Sequence, residues 1–171
     1  MIISLVGYMG CGKSHISKIL SEKINFKLID LDKEISRRNK LTIPEIFEKK
    51  GEIYFRKLER ETLEEILATE ENLILSLGGG TPVYYNNMEI INNNSKSIFL
   101  KASVKTLTER LSKQKEKRPL IANISDENLP EFIAKHLFER NEFYNKALIS
   151  INTDSREPED ILNEIIEKLY L

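Results

Sequence analysis

The part of this sequence with the clearest chemistry is residues 7–14, GYMGCGKS. It follows an apolar run, residues 2–6, and precedes a segment in which apolar residues recur at helical spacing. Glycine, lysine and serine at these spacings are typical of a phosphate-binding P-loop. Glycines let backbone N–H groups wrap around phosphate oxygens, the Lys13 ammonium can reach the outer phosphates, and the Ser14 hydroxyl is a hard ligand for Mg²⁺. The pattern therefore predicts a nucleotide-binding loop between a strand and a helix.

Two carboxylates, Asp30 and Asp32, follow a second predicted strand, residues 26–29. Ligands of open α/β sheets bind at the carboxyl ends of the strands, so both side chains are expected near the nucleotide. Alternation along the strand would put them on the same side. One could then hold Mg²⁺ through water while the other orients or deprotonates an attacking hydroxyl. The alternative is a pair of solvated loop acids.

Three arginines in distant segments, Arg56, Arg118 and Arg140, could each bind a carboxylate or phosphate through two parallel hydrogen bonds, although any single arginine is more often a surface residue. Arg118 lies in a long aperiodic stretch, residues 112–129, which predicts a mobile lid. Closure of that lid could bring Arg118 onto the transferred phosphoryl group. Glu59 follows Arg56 by one helical turn and could orient its guanidinium, but the spacing alone favours an ordinary surface ion pair.

The elements that must position these residues alternate between strand and helix about five times, which predicts a parallel sheet covered by helices on both faces. Thr42 begins a capping box, so a short helix should start there and stop near Gly51. Residues 73–77 predict a strand that ends at three consecutive glycines, residues 78–80. Such a run indicates close approach of the backbone to a ligand or a neighbouring element. The asparagines at 92–94 predict a turn.

Composition narrows the possible partners. The 171 residues fit one domain, and the net charge of −1 with 31% charged residues gives no electrostatic footprint for nucleic acid or an anionic membrane. The absence of a long apolar span and of a signal-peptide pattern predicts a cytoplasmic protein with small-molecule partners. The single cysteine, Cys11, excludes an intrachain disulfide. It is either a small residue in a tight loop or a reactive thiol, because a helix N-terminus lowers the pKa of a thiol.

The order and spacing of these motifs resemble the shikimate kinase family over essentially the whole chain. The matching segments are the P-loop, Asp30-Leu31-Asp32, Glu45-Ile46-Phe47 before Gly51-Glu52, Phe55-Arg56 with Glu59, the triple glycine, Arg118-Pro119-Leu120, and Arg140 with Tyr144. The resemblance implies a three-layer α/β/α P-loop kinase with a five-stranded parallel sheet and a mobile lid, in a single domain, residues 1–171, that is typically a monomer. It also implies ATP- and Mg²⁺-dependent phosphorylation of the 3-hydroxyl of shikimate, a step of chorismate and aromatic amino acid biosynthesis.

The resemblance further implies a role for each matched residue. The residues implied for catalysis are Lys13, Asp32 and Arg118. The residues implied to bind ATP are Gly10, Cys11, Gly12, Lys13, Ser14, His15, Arg118 and Arg156. The residues implied to bind shikimate are Asp32, Arg56, Gly78, Gly79, Gly80 and Arg140, within and beside a substrate-binding region at about residues 32–67. The residues implied to bind the metal are Ser14 and, through water, Asp30. The sequence departs from the family at His15, where a hydroxyl residue is common.

Two other functions stay open at this point. Another small P-loop kinase, acting on gluconate or a nucleoside monophosphate, would share the loop and the aspartates. A monophosphate acceptor would need more positive charge around its site and would give the triple glycine no special role. A non-catalytic nucleotide-dependent switch would bind ATP without acceptor-dependent turnover.

Overall fold

A computed structural model describes residues 1–170 of the chain, apart from the side chain of Lys117, so the last residue of the predicted domain, Leu171, lies outside the described part. Five strands form one parallel sheet, as predicted, and their order in the sheet is β2-β3-β1-β4-β5. The strands are β1 (Ile2–Val6), β2 (Lys27–Asp30), β3 (Leu73–Ser76), β4 (Lys96–Lys101) and β5 (Ile149–Asn152). The central strands β1 and β3 are buried at every residue, which explains their continuous apolar sequences.

Helices flank this sheet, and the predicted three-layer α/β/α architecture is confirmed. Within residues 1–170 they are α1 (Lys13–Ile24), α2 (Leu31–Asn39), α3 (Ile43–Lys50), α4 (Glu52–Leu67), α5 (Asn87–Asn94), α6 (Val104–Ser112), α7 (Leu129–Tyr144) and α8 (Pro158–Leu169). Short 3₁₀ turns lie at Thr81–Val83 and Lys115–Lys117. None of the helices described is both long and apolar enough to cross a bilayer.

The strand order brings the predicted functional segments to one edge of the sheet. β3 lies between β2 and β1, with Ser76 opposite both Leu5 and Asp30. The P-loop after β1 and the triple glycine after β3 therefore leave neighbouring strands, and Asp30 ends the next strand outward. This is the carboxyl edge at which α/β proteins bind ligands.

Asp32 reaches this edge by a different route from the one predicted. Asp30 is the N-cap of α2, and its carboxylate accepts a hydrogen bond from the backbone N–H of Lys33 at 3.1 Å. The helix therefore begins at Leu31, and Asp32 belongs to its first turn. The expectation that strand alternation orients both carboxylates is wrong, because the N-cap ends the extended backbone at Asp30.

Two further local predictions have opposite outcomes. The capping box is confirmed: the Glu45 carboxylate accepts from the Thr42 backbone N–H at 2.7 Å, and the Thr42 hydroxyl accepts from the Glu45 N–H. The turn predicted at residues 92–94 is wrong, because these asparagines form the last turn of α5. There the Asn94 side-chain amide donates to the Ile90 carbonyl at 2.9 Å, so it supports the helix end.

Candidate active site

The P-loop begins with backbone conformations that favour glycine. Gly7, Gly10 and Gly12 have φ of +144°, +82° and +101°. Gly12 is the N-cap of α1, and its carbonyl accepts the N–H of Ile16 at 3.0 Å. The first N–H groups of α1 consequently lie unpaired at the start of the helix, where backbone donors and the helix dipole favour an anion.

The only cysteine packs inside this loop. Cys11 is 1% exposed, and a Cβ added to Gly7 would lie 2.9 Å from its Sγ. Burial of the sulfur supports the interpretation of Cys11 as a small packing residue.

The ammonium of Lys13 donates to the carbonyls of Gly7 at 2.7 Å and Tyr8 at 3.0 Å, so its charge lies against the loop.

The loop forms one wall of a cavity of about 520 Å³ at the carboxyl edge of the sheet. Most of the predicted site residues line it: Gly10, Cys11, Gly12, Lys13, Ser14, His15, Asp30, Asp32, Gly78, Gly79, Arg118 and Arg156. The other three predicted residues, Gly80, Arg56 and Arg140, are not among its lining residues. Gly80 follows two glycines that do line the cavity, and the guanidinium groups of Arg140 and Arg56 lie next to Gly79 and Gly80.

Each of the three consecutive glycines faces one predicted functional side chain. A Cβ added to Gly78 would lie 3.0 Å from an Asp32 carboxylate oxygen. The corresponding distances are 3.5 Å from Gly79 to Arg140 Nη1, and 2.8 Å from Gly80 to Arg56 Nη1, in each case with the glycine φ outside the left-handed region. A Cβ would therefore be crowded at Gly78 and Gly80, whereas at Gly79 it would be in ordinary van der Waals contact. The close approach expected from the sequence is to a carboxylate and two guanidinium groups.

The environment of Asp32 suits a base. Burial, together with the negative charges of Glu59 and Asp30, raises the pKa of its carboxyl to about 6, while the positive charges of Lys13 and Arg56 oppose the shift. A carboxylate whose pKa lies near neutral pH can accept a proton from a hydroxyl and still be ionised in most molecules before the reaction.

The expectation that Glu59 and Arg56 form an ordinary surface ion pair is wrong. The Glu59 side chain is 1% exposed, accepts a hydrogen bond from the Thr81 hydroxyl at 2.7 Å and pairs with Arg56 Nη1 at 2.9 Å. The periodicity of α4 carried the signal: Glu59 is four residues from both Phe55 and Leu63, which are buried. A carboxylate on the buried face of a helix requires a partner, and Arg56 and Thr81 are those partners.

Helix α7 joins the two glycine-rich loops. Its residues His136, Arg140 and Tyr144 are four apart and so share one face. The Tyr144 hydroxyl donates to the Gly79 carbonyl at 2.6 Å, and His136 Nδ1 lies 2.8 Å from the hydroxyl of Tyr8 in the P-loop. Burial and the Arg140 charge lower the pKa of His136, which favours its neutral ring. Arg140 is thus held between contacts to both loops.

Arginines also define the other end of the cavity. Arg118 donates to the Gln114 side chain at 3.3 Å, within the segment predicted as the lid. Arg156 donates to the carbonyls of Asn152 and Asp160 and pairs with Glu164, which anchors the loop between β5 and α8.

Sequence reasoning missed Arg110, which lines the cavity from α6. It donates to the Gly10 carbonyl at 3.2 Å and to the Thr153 carbonyl at 3.4 Å, so it joins the P-loop to the end of β5. A lone arginine on an amphipathic helix carries no local signal for such a role.

The donor set fits a metal held mainly by a nucleotide. Ser14, Asp30 and Asp32 bring hard oxygen atoms to the cavity. Within the described residues, no group of three or more histidine, cysteine, aspartate or glutamate side chains could by itself hold a metal ion. Mg²⁺ commonly keeps several waters and uses one or two protein oxygens together with substrate phosphates, which this arrangement allows.

Comparisons with known proteins show which family this chain resembles in sequence and fold. Residues 9–170 match the family model for shikimate kinase. The shikimate kinase of Flavobacterium johnsoniae is 49% identical over 168 residues, which are 98% of each chain. The crystal structure of shikimate kinase from Bacteroides thetaiotaomicron is 37% identical with a TM-score of 0.93, covering 100% of this chain and 99% of that one. Shikimate kinase from Acinetobacter baumannii in complex with shikimate is 30% identical with a TM-score of 0.87, covering 99% and 92%.

Proposed function

The chain belongs to the shikimate kinase family and phosphorylates shikimate with ATP, and we propose that transfer to the 3-hydroxyl takes place between the P-loop and the triple-glycine loop. One observation carries this proposal: Gly78, Gly79 and Gly80 face Asp32, Arg140 and Arg56 in turn. A small anionic polyol needs a carboxylate for its hydroxyls and a guanidinium clamp for its own carboxylate. Both lie beside the predicted nucleotide site, since a Cβ on Gly79 would be 3.6 Å from the Gly7 carbonyl oxygen.

On the nucleotide side, the backbone of residues 10–15 would bind the phosphates of ATP at the start of α1. The ammonium of Lys13 would move from its carbonyl partners to the outer phosphate oxygens. Arg118 would approach the same oxygens from the lid, and the two positive charges would stabilise the charge that develops during transfer. Arg156 would lie at the end of the cavity that binds the adenine of ATP.

On the acceptor side, Arg56 and Arg140 would hold the carboxylate of shikimate. The 3-hydroxyl would then lie near Asp32, which accepts its proton as the oxygen attacks the γ-phosphorus. The bond from that phosphorus to the bridging oxygen of ADP breaks, so the products are shikimate 3-phosphate, ADP and one proton.

Mg²⁺ completes the proposed site. The Ser14 hydroxyl would bind it directly and Asp30 would bind it through water, where it would neutralise phosphate charge. Asp30 also caps α2, so the position of its carboxylate is fixed by the fold.

The remaining expectations are part of the same proposal. Residues 112–129 would form a lid that closes over ATP, in a chain that acts as a single domain and as a cytoplasmic monomer with no nucleic-acid or membrane partner. The even charge balance and the single cysteine support this. Sedimentation velocity would test the monomer.

Two alternatives are less well supported by the acceptor side. Arg56 is paired with buried Glu59 and lies near Glu52, so this end of the site lacks the surplus positive charge that a nucleoside monophosphate would need. A switch that only binds ATP would have no use for the raised pKa of Asp32 beside a glycine-lined opening.

The test is ADP release from MgATP with shikimate, gluconate, AMP or no acceptor in parallel reactions. Shikimate-dependent release is expected. Release that depends on gluconate or AMP would move the function to another small kinase, and release that is independent of an acceptor, or absent, would favour the switch.

A further inference from the structure

The ring of Tyr84 covers one face of the Arg56 guanidinium. Tyr84 follows the 3₁₀ turn after the triple glycine, and the Arg56 Cζ lies 3.9 Å from its ring centroid. The rings of Phe55 and Phe47 are farther away, at 5.0 and 5.8 Å. The Arg56 side chain is only 12% exposed and Tyr84 is half-buried, so the stacking is partly desolvated, which strengthens a cation–π contact.

The Tyr84 hydroxyl is tied to the helix that carries Arg56. It donates to Glu52 Oε1 at 2.7 Å, and the same oxygen lies 3.5 Å from Arg56 Nε. This bond raises the pKa of Tyr84 and lowers the pKa of Glu52. The loop after the triple glycine is thereby bound to the first turn of α4.

Together these contacts enclose Arg56 on three sides. Glu59 holds Nη1 from within the fold, Glu52 lies at Nε, and Tyr84 covers the face. A planar guanidinium that is stacked and paired in this way has little freedom to rotate. It loses less conformational entropy on binding an anion than a free arginine does.

We propose that Tyr84 is a positioning residue for the acceptor: it holds the Arg56 guanidinium in the orientation that binds the carboxylate of shikimate, and so sets the affinity for that anion. The inference rests on the proposed role of Arg56 as a carboxylate clamp. Tyr84 acts through Arg56 and needs no contact with shikimate itself. Most of the effect comes from the ring, and the hydroxyl adds a smaller contribution through Glu52.

The experiment compares Tyr84→Leu, which keeps bulk without a π face, with Tyr84→Phe, which keeps the ring without the hydroxyl. Tyr85→Leu is the matched control, because the neighbouring ring is 60% exposed. Arg56→Lys is the reference for a lost clamp. For each variant, kcat, the KM for ATP and the KM for shikimate and its uncharged methyl ester are measured, with the melting temperature.

We expect Tyr84→Leu to raise the KM for shikimate about tenfold, as for loss of a partly desolvated cation–π contact. The KM for the ester, the KM for ATP and kcat should change less than about twofold. Tyr84→Phe should restore most of the affinity, with a KM within about threefold of wild type. Tyr85→Leu should match wild type.

An unchanged shikimate KM in Tyr84→Leu would overturn the inference, as would an equal rise for the ester or a loss confined to kcat. Tyr84→Phe keeps the test decisive if Tyr84→Leu does not fold, since a KM as high as that of Arg56→Lys would mean that stacking does not position the guanidinium. Normal shikimate affinity in Arg56→Lys would instead remove the proposed clamp. Absence of shikimate-dependent turnover in the wild type would remove the proposed function.

Discussion

Gly12 of the P-loop and Gly80 of the triple-glycine loop lie beyond neighbouring strands, and each position needs glycine for a different reason. In the P-loop, Gly12 has φ of +101°, and the nearest atom to an added Cβ is Arg110 Nη1 at 4.0 Å. The backbone conformation requires glycine there, and space does not. In the second loop, Gly80 has an ordinary φ of −86°, yet an added Cβ would lie 2.8 Å from Arg56 Nη1.

This difference separates two kinds of functional glycine. A glycine required by its own dihedral angles belongs to a local motif that shapes the backbone around phosphate. A glycine required by space marks where distant side chains meet. The nucleotide and acceptor halves of the site should therefore respond separately to substitution.

The largest expected effect tests the acceptor half at its reacting group. Asp32→Asn should lower kcat by about 10²–10⁴-fold, because the amide cannot accept the proton of the hydroxyl. The dissociation constant for ATP should change less than about threefold, which titration calorimetry would measure. Near-wild-type turnover in this variant would remove Asp32 from the mechanism.

The two kinds of glycine can be compared directly by adding one methyl group to each loop. Gly80→Ala should displace Arg56 and raise the KM for shikimate about tenfold, equivalent to about 1.4 kcal/mol, with the KM for ATP unchanged. Gly12→Ala should raise the KM for ATP and leave the KM for shikimate unchanged, since a left-handed backbone at a non-glycine residue costs roughly 1–2 kcal/mol in the nucleotide loop. Steady-state kinetics with each substrate varied would check both. If both variants raise the same KM, the distinction between the loops is wrong.

Stability should respond to Asp32 in the direction opposite to turnover. Its folded pKa of about 6 lies above the value of 3.8 expected without these neighbours, so its ionised form destabilises the fold. At one pKa unit per 1.36 kcal/mol, Asp32→Asn should be more stable than wild type by about 2–3 kcal/mol above pH 7. That difference should shrink as the pH falls from about 6 to 4 and the wild-type carboxyl becomes protonated.

Urea unfolding at a series of pH values, without Mg²⁺ or nucleotide, would measure this difference. A variant that is less stable than wild type at pH 8 would show that the ionised Asp32 carboxylate stabilises the ligand-free fold.

The smallest effect concerns Glu59, which links the acceptor clamp to the base. Its charge raises the pKa of Asp32, so Glu59→Gln should lower that pKa and move the acid limb of kcat/KM for shikimate to lower pH by a fraction of a unit. The KM for shikimate should also rise, because Arg56 loses a charged partner. Glu61→Gln on the exposed face of α4 is the matched control. A limb that does not move, or moves to higher pH, would contradict the coupling.

The fold was predictable because its signals are periodic. The apolar runs of β1 and β3, the amphipathic helices and the capping box at Thr42 each depend on residues within a few positions of one another. Two errors arose where a polar side chain can support either of two local structures. Asp30 ends β2 and caps α2, so the strand does not continue to Asp32, and Asn94 bonds to its own helix instead of forming a turn.

The sequence by itself determined the nucleotide-binding loop and the residue types of the acceptor site. Left-handed glycines, a lysine and a hydroxyl at fixed spacing are requirements that eight consecutive residues can meet. Only the tertiary structure decided that Thr81 donates to Glu59, that Arg110 reaches the P-loop, and that each of the three glycines faces one functional side chain. Those arrangements depend on the order in which strands pair and on helices packing over loops far along the chain, and no local pattern encodes such distances.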